Sequence, residues 1–333
     1  MTNVAINGMG RIGRAALKIL LDLPEWRLVA VNDLVPVDNL VYLLRYDSVY
    51  GREARRIEAA QEAIVIEGRQ IPVFHESGPE KLPWGDLEVD VVFECTGVFR
   101  TRTDMEKHLQ AGAKQVVLSA PAKSEDVPTL VVGANRLEGQ PALVSAASCT
   151  TNCIAPVVEV LDRRIGLDKA VMTTIHAYTS SQQVVDGPKK DFRRGRAAAA
   201  NFVPASTGAA EATAKCLPQF ANRFSGVAVR APVICGSIAD VVCVTRRDTS
   251  VQEVNDVFRQ EAATPRYEGI LGASDEPLVS TDILGDSRAS IVDLSETIVV
   301  GGNLVKVMSW YDNEWGYAAQ MVRCAMEIRG KNP

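Results

Sequence analysis

The chain has 333 residues, 47% hydrophobic and 23% charged, with a formal net charge of −5. That length suits one large or two medium domains with full cores, and the acidic balance argues against a polyanion-binding protein, so no nucleic acid partner is indicated. The chain does not open on a basic segment with a long apolar run, and no membrane-length apolar stretch follows; its seven scattered cysteines point to reduced thiols in a cytoplasmic protein.

The first half alternates strands and helices. Residues 3–6 (NVAI) form a short apolar strand, and Ile12, Ala16, Ile19, Leu20 and Leu23 then recur at helical spacing. Further strands are expected at 28–31, 90–95, 115–119, 129–133 and 142–146. Most are continuous apolar runs, as in strands covered on both faces, which predicts a doubly wound, Rossmann-type parallel sheet over residues 1–148.

The pattern changes after Cys149. Long strand-like runs at 169–178, 226–232, 237–246, 289–295 and 303–312 are interrupted by two good helices, near 208–217 and 250–263. Few crossover helices predict a mostly antiparallel sheet in an α+β domain over 149–312. A final helix within 313–333 is expected to pack back on the first domain, with Asn313 able to cap it and Gly330 able to end it.

The first chemical signal is NGMGRIGR. Gly8, Gly10 and Gly13 fit G-x-G-x-x-G between a strand and a helix, and Asp33 ends the next strand 20 residues after Gly13. The glycines permit a tight turn and close backbone approach to a pyrophosphate, and the helix N-terminus offers N–H groups to an anion. Asp33 can accept from a ribose diol and would repel a 2′-phosphate, so the expected cofactor is NAD rather than NADP.

The second signal is SAASCTTNCIAP, residues 145–156. Cys149 and Cys153 lack the further ligands of a zinc site and are spaced too widely for a C-x-x-C redox pair, so no metal is expected. The stripe Ile154, Val157, Val158, Leu161, Ile165 puts Cys149 near a helix N-terminus, where the dipole favours a thiolate. Pro156 must fall in the first turn of that helix or disturb it locally. A buried inert thiol and an activated nucleophile both fit this pattern, and His176, near the end of a strand, is the candidate base. The basic run KKDFRRGR (189–196) reads either as a solvated loop or, with Thr207-Gly208 at a helix start and Arg230 at a strand end, as part of an anion site.

INGMGRIGR, ASCTTNCIAP, HAYT, PASTGAA and SWYDNEWGY together resemble the motifs of phosphorylating glyceraldehyde-3-phosphate dehydrogenase, in family order from Ile6 to Tyr317. The resemblance implies NAD-dependent oxidation of a small phosphorylated aldehyde, with inorganic phosphate, to an acyl phosphate through a thiohemiacetal and a thioester on Cys149, with His176 as base. It implies Arg11, Ile12, Asp33, Ser77, Ser119 and Asn313 as cofactor contacts besides Gly8 and Gly10, with Tyr317 near the nicotinamide. It assigns Thr179 and Arg230 to the substrate phosphate, and Ser148, Thr150, Thr207, Gly208 and Arg194 to the attacking phosphate or the path between the two. It also implies a homotetramer, with the loop around 178–200 at a subunit contact.

The sequence departs from the family pattern in places. Ser77 stands where arginine is frequent, Ser181 where aspartate is, and RAPVICGSIADVV replaces the usual run after Arg230. Two other readings compete: erythrose-4-phosphate dehydrogenase, which tends to lack the STGAA intact here at 206–210, and a non-catalytic NAD-binding interaction protein, which Cys149 and His176 argue against.

Overall fold

The computed structural model describes residues 1–330, so the last three residues of the expected C-terminal helix lie outside the described residues. The chain divides into two compact units. One holds Met1–Leu130, Leu137–Ala147 and the chain from Met321; the other holds Val131–Arg136 and Ser148–Gln320.

The first unit alternates as its apolar runs predict: β1 (Thr2–Asn7), α1 (Arg11–Leu21), β2 (Trp26–Asn32), α2 (Val37–Arg45), a small hairpin of β3 (Tyr46–Asp47) and β4 (Gly51–Arg52), then β5 (Ile57–Ala60), β6 (Ala63–Ile66), β7 (Arg69–Phe74), β8 (Val91–Glu94), α3 (Arg102–Gln110), β9 (Gln115–Leu118) and β10 (Leu143–Ser145). The main sheet runs β10-β9-β8-β1-β2-β7-β6-β5. The six strands from β10 to β7 are parallel, whereas β6 pairs antiparallel with β7 and β5 antiparallel with β6. Central strands β8 and β9 are buried at every position, because helices cover both faces.

Two differences from the sequence reading stand out. The expected strand at 129–133 is reduced to one bridge, Thr129 to Ser145, after which the chain turns. The meander β5–β7 was not expected, because its tight turns are built from unusual residues. Glu62 takes φ 50° between β5 and β6, and Glu67-Gly68 take φ 49° and 80° between β6 and β7. The frequent Asn-Gly or Asp-Gly signal is absent there.

The second unit contains α4 (Cys149–Arg164), β11 (Leu167–Ala177), β12 (Val203–Ala205), α5 (Ala209–Cys216), β13 (Phe224–Ala231), β14 (Ser237–Thr245), α6 (Val251–Ala262), β15 (Leu271–Ser274), β16 (Ser290–Val300) and β17 (Leu304–Tyr311). Helix α7 (Trp315–Ile328) starts in this unit and ends in the first, where Cys95 Sγ lies 4.0 Å from Met321 Sδ and Arg329 pairs with Asp90 at 3.5 Å. The seven-stranded sheet runs β12-β13-β11-β14-β17-β16-β15 and is mostly antiparallel; only β11–β13 and β15–β16 are parallel. Helix α4 lies across β11, β14, β16 and β17. The alternation along β11 buries Ala170, Met172, Thr174 and His176 on one face while Val171 on the other is exposed.

Helix termini follow local chemistry. Ser148 caps α4, its hydroxyl accepting from Thr151 N at 3.1 Å. Pro156 is the eighth residue of α4, so it lies in the interior rather than in the first turn. Asn313 does not cap α7. The carboxylate of Asp312 does so, accepting from the N–H groups of Glu314 and Trp315 at 2.8 Å each, while Asn313 Oδ1 is engaged elsewhere. Gly330, at φ 65°, ends the helix in the left-handed region, its N–H reaching Glu327 O.

Candidate active site

In the first unit the candidate cofactor residues gather at one edge, the carboxyl ends of the parallel strands. Gly8 and Gly10 follow β1, Asp33 follows β2, Ser77 follows β7 and Ser119 follows β9. Gly8 takes φ 96°, and a Cβ there would stand 2.6 Å from Thr96 N. A Cβ on Gly13 would meet Gly8 O at 2.0 Å, so glycine is needed for the helix to approach the strand. At Gly10, by contrast, an added Cβ would meet no atom within 4 Å, leaving room for a ligand against the start of α1 at Arg11 and Ile12. Asp33 is pinned by two main-chain donors, Met9 N to Oδ2 at 2.6 Å and Val35 N to Oδ1 at 3.0 Å. The Arg11 side chain turns to Asp47 at 2.5 Å, so Arg11 offers the site only its backbone. These residues fit a dinucleotide: a tight glycine turn, an open helix N-terminus and a fixed carboxylate one strand away.

The second unit's α4 is preceded by Ala147, the last residue of the first unit's stretch Leu137–Ala147 and a non-glycine residue at φ 57°, a conformation disfavoured for a residue with a Cβ. Cys149 is the first residue of the helix. Strand β11 carries His176 on the face toward α4, and Cys149 Sγ lies 3.4 Å from His176 Nε2. Arg230 faces His176 in the parallel β11–β13 ladder. Its Nη1 stands 2.5 Å from His176 Nδ1 and donates to Ala177 O at 3.1 Å; Ala177 O itself lies 2.6 Å from Nδ1. Burial pushes the Cys149 thiol up, while Arg230 and the N–H and hydroxyl of Thr150 pull it down. Burial, then the Arg230 charge, hold His176 down at about 3 against an ordinary 6.5, so the imidazole is neutral at pH 7.

The remaining candidates form a chain of contacts beyond His176. Thr179 Oγ1 and Ser181 Oγ are 2.8 Å apart, and Arg194 Nη1 donates to Ser181 Oγ at 3.1 Å. Arg194 also reaches Ser206 O at 3.4 Å, next to Thr207 and Gly208 at the start of α5. Ser181, where the family frequently has aspartate, therefore joins Thr179 to Arg194. The Thr150 hydroxyl is turned away from this chain. It contacts Tyr311 Oη at 3.0 Å, and Tyr311 in turn contacts Thr174 Oγ1 at 2.7 Å.

Comparison with known proteins identifies the family. Residues 2–102 match the profile of the glyceraldehyde 3-phosphate dehydrogenase NAD binding domain, and residues 148–313 match that of the C-terminal domain of the same family. The chain is 48% identical over 326 residues to glyceraldehyde-3-phosphate dehydrogenase of Thermotoga maritima, covering 97% of each chain. It is 46% identical to the Clostridium pasteurianum enzyme over 97% of each chain, and 45% identical to that of Geobacillus stearothermophilus over 98% of each.

The chain belongs to the glyceraldehyde-3-phosphate dehydrogenase family.

Within this family frame, residues that the sequence did not single out become visible. Asn313 Oδ1 accepts from Ser237 Oγ at 2.8 Å and Gly236 N at 3.1 Å, which fixes the amide so that its NH₂ end is the free one to use. Ser237 Oγ also accepts from Ala177 N at 3.1 Å, tying Asn313 to the end of the His176 strand. Tyr311 packs edge-on to His176 at 6.0 Å between ring centroids. Ser237 and Tyr311 fall in the stretches RAPVICGSIADVV and SWYDNEWGY but carry no role of their own in the sequence, since each reads as an ordinary strand residue. Tyr317 is buried on the first turn of α7, and Asn152 supports the start of α4 by donating to Ser148 O at 2.9 Å.

Proposed function

We propose that this chain is a phosphorylating glyceraldehyde-3-phosphate dehydrogenase that oxidises D-glyceraldehyde 3-phosphate to 1,3-bisphosphoglycerate, and that it works as a cytoplasmic homotetramer in glycolysis and gluconeogenesis. The observation that carries this reading is the Cys149 Sγ–His176 Nε2 contact of 3.4 Å at a helix N-terminus, with Arg230 beside it.

The sulfur attacks the aldehyde carbon as its proton passes to His176 Nε2, and that proton then reaches the new oxyanion to give the thiohemiacetal. For this the neutral ring carries its other proton on Nδ1 and donates it to Ala177 O; Arg230 Nη1, a donor only, then makes no hydrogen bond to Nδ1 and acts on the ring through its charge and the shared Ala177 O. His176 Nε2 next removes the hydroxyl proton as the C–H hydride leaves. NAD supplies the hydride acceptor. Inorganic phosphate attacks the resulting thioester carbon, the C–S bond breaks, and the sulfur departs as thiolate toward the protonated His176.

Arg230 and Thr179 hold the substrate phosphate, and Ser148, Thr150, Thr207, Gly208 and Arg194 serve the attacking phosphate or line its path. Thr150 takes part through its main-chain N–H, while its hydroxyl is shared between Tyr311 Oη at 3.0 Å and Cys149 Sγ at 4.0 Å. Gly8, Gly10, Arg11 and Ile12 receive the pyrophosphate, Asp33 the adenosine ribose, Ser77 and Ser119 further parts of the dinucleotide, and Asn313 the nicotinamide carboxamide. Subunit contact through the 178–200 loop is supported by the exposure of Val184, Val185, Phe192 and, just beyond, Phe202, an apolar set that water disfavours.

The test is NADH formation with and without inorganic phosphate, using glyceraldehyde 3-phosphate and erythrose 4-phosphate in parallel. Phosphate-dependent activity on the first is expected. Activity on erythrose 4-phosphate alone would overturn the assignment.

A further inference from the structure

The first unit holds a buried polar network that the chemistry at Cys149 does not use. At its centre is Glu94, the last residue of β8, with no solvent exposure. Its Oε2 accepts from Asn7 Nδ2 at 2.6 Å and lies 3.0 Å from His108 Nε2. Its Oε1 accepts from Thr96 N at 2.8 Å and from the Thr96 hydroxyl. His108, also fully buried, has Trp84 Nε1 3.0 Å from its Nδ1.

The donor and acceptor roles are fixed by chemistry. An indole N–H only donates, so His108 Nδ1 bears a lone pair and the ring proton sits on Nε2, pointing at Glu94. All four contacts to Glu94 are therefore donors, the set that a carboxylate, an acceptor only, requires. The network continues outward. Asn7 Oδ1 accepts from Asn32 Nδ2 at 2.7 Å, and Asn32 Oδ1 accepts from Glu76 N at 2.8 Å.

Its position gives it meaning. Asn7, Asn32 and Glu94 are the last residues of β1, β2 and β8. The strand order reverses between β8 and β1, and in open α/β sheets that reversal opens the ligand crevice at the carboxyl ends of the strands. Thr96, held by Glu94, is also the residue that a Cβ on Gly8 would strike. One carboxylate thus fixes both sides of the crevice: the glycine turn after β1 and the loop after β8.

We propose that Glu94 is a positioning residue for the dinucleotide, its buried carboxylate setting the spacing of the crevice so that NAD affinity, rather than chemistry at the sulfur, depends on it. The inference rests on the reading of this edge as the NAD site. Glu94→Gln places an NH₂ against donors, either Asn7 and His108 or Thr96. His108→Leu removes the donor to Glu94 and the acceptor for Trp84. His108→Gln keeps both roles with a side chain of similar reach.

The experiment measures the NAD Kd by calorimetry, together with KM for NAD and kcat at saturating NAD. Glu94→Gln and His108→Leu are each expected to weaken NAD binding about tenfold, equivalent to about 1.4 kcal/mol. Their kcat should stay within about twofold and cofactor-free alkylation of Cys149 should be unchanged, while His108→Gln retains wild-type affinity. Unchanged Kd in folded Glu94→Gln and His108→Leu overturns the proposal, as does loss of kcat at constant Kd. If Glu94→Gln does not fold, the two His108 variants decide alone. A wild-type chain that fails to bind NAD would overturn the cofactor reading and this inference with it.

Discussion

Arg230 and His176 are register partners in the parallel β11–β13 ladder, with guanidinium Nη1 2.5 Å from imidazole Nδ1. A cation that never deprotonates is thereby fixed against a ring that is itself 4% exposed. Charging that ring costs both desolvation and repulsion, which is why its pKa falls to about 3.

The sign of the linked stability effect follows. Between pH 6.5 and about 3 the unfolded chain protonates this histidine and the folded chain does not. Folding stability therefore falls as pH drops through that window, by up to about 1.4 kcal/mol per pH unit from this group. His176→Asn removes the contribution. Urea midpoints measured from pH 7 to pH 4.5 should fall less steeply for the variant than for the parent; parallel curves would contradict the assignment.

Cys149→Ser keeps the cap, the helix and the cofactor edge but replaces the nucleophile with a far weaker one. Turnover is expected to drop by about a thousandfold or more, with NAD affinity within about twofold of the parent. Residual activity near wild type would show that another group forms the covalent bond.

Asp33 is held by the N–H groups of Met9 and Val35, so it cannot swing aside for a 2′-phosphate without breaking both bonds. The kcat/KM ratio of NAD to NADP is expected to exceed about a hundred and to shrink at least about tenfold in Asp33→Ser. Equal values for the two cofactors in the parent would refute this role.

Ser237 donates to Asn313 and accepts from Ala177 N. Ser237→Ala leaves a buried acceptor and a buried N–H short of a partner, a loss of about 1–3 kcal/mol. Ser237→Thr should restore part of it. Denaturation midpoints check the first expectation. Kinetics check a second: kcat should fall more than NAD affinity, because the base and the carboxamide contact share this hydroxyl.

Much of this was legible in the chain. Gly8, Gly10, Gly13 and Asp33 announced a strand–turn–helix, since the turn at Gly8 and the close approach at Gly13 exclude a Cβ and a strand end puts Asp33 beside them. Cys149 was readable as a helix start from the stripe that follows it. What escaped depended on partners distant in sequence. Asp312 and Asn313 are both competent caps, and nothing local says that Ser237 and Gly236 claim Asn313 and leave the helix to Asp312. His108 looked like one of three unremarkable histidines until folding brought it to Glu94 and Trp84. The Glu62 and Glu67-Gly68 turns hid a meander, since side chains rarely chosen for left-handed backbone are stabilised there by the pairing of their flanking strands. Pro156 was compatible with either an early or an interior position, and only the cap at Ser148 decided between them.

The seven sulfurs are not chemically equivalent, which gives the protein a built-in way of being counted. Burial raises the thiols of Cys153, Cys216 and Cys243 to about 12 and that of Cys95 higher still; Cys149 is raised by burial as well, but there Arg230 and Thr150 limit the rise. Cys235 and Cys324 are sealed from solvent. A mild alkylating reagent should therefore consume one equivalent per folded chain, and the shortfall from unity in any preparation would measure the fraction of molecules whose nucleophile is already spent.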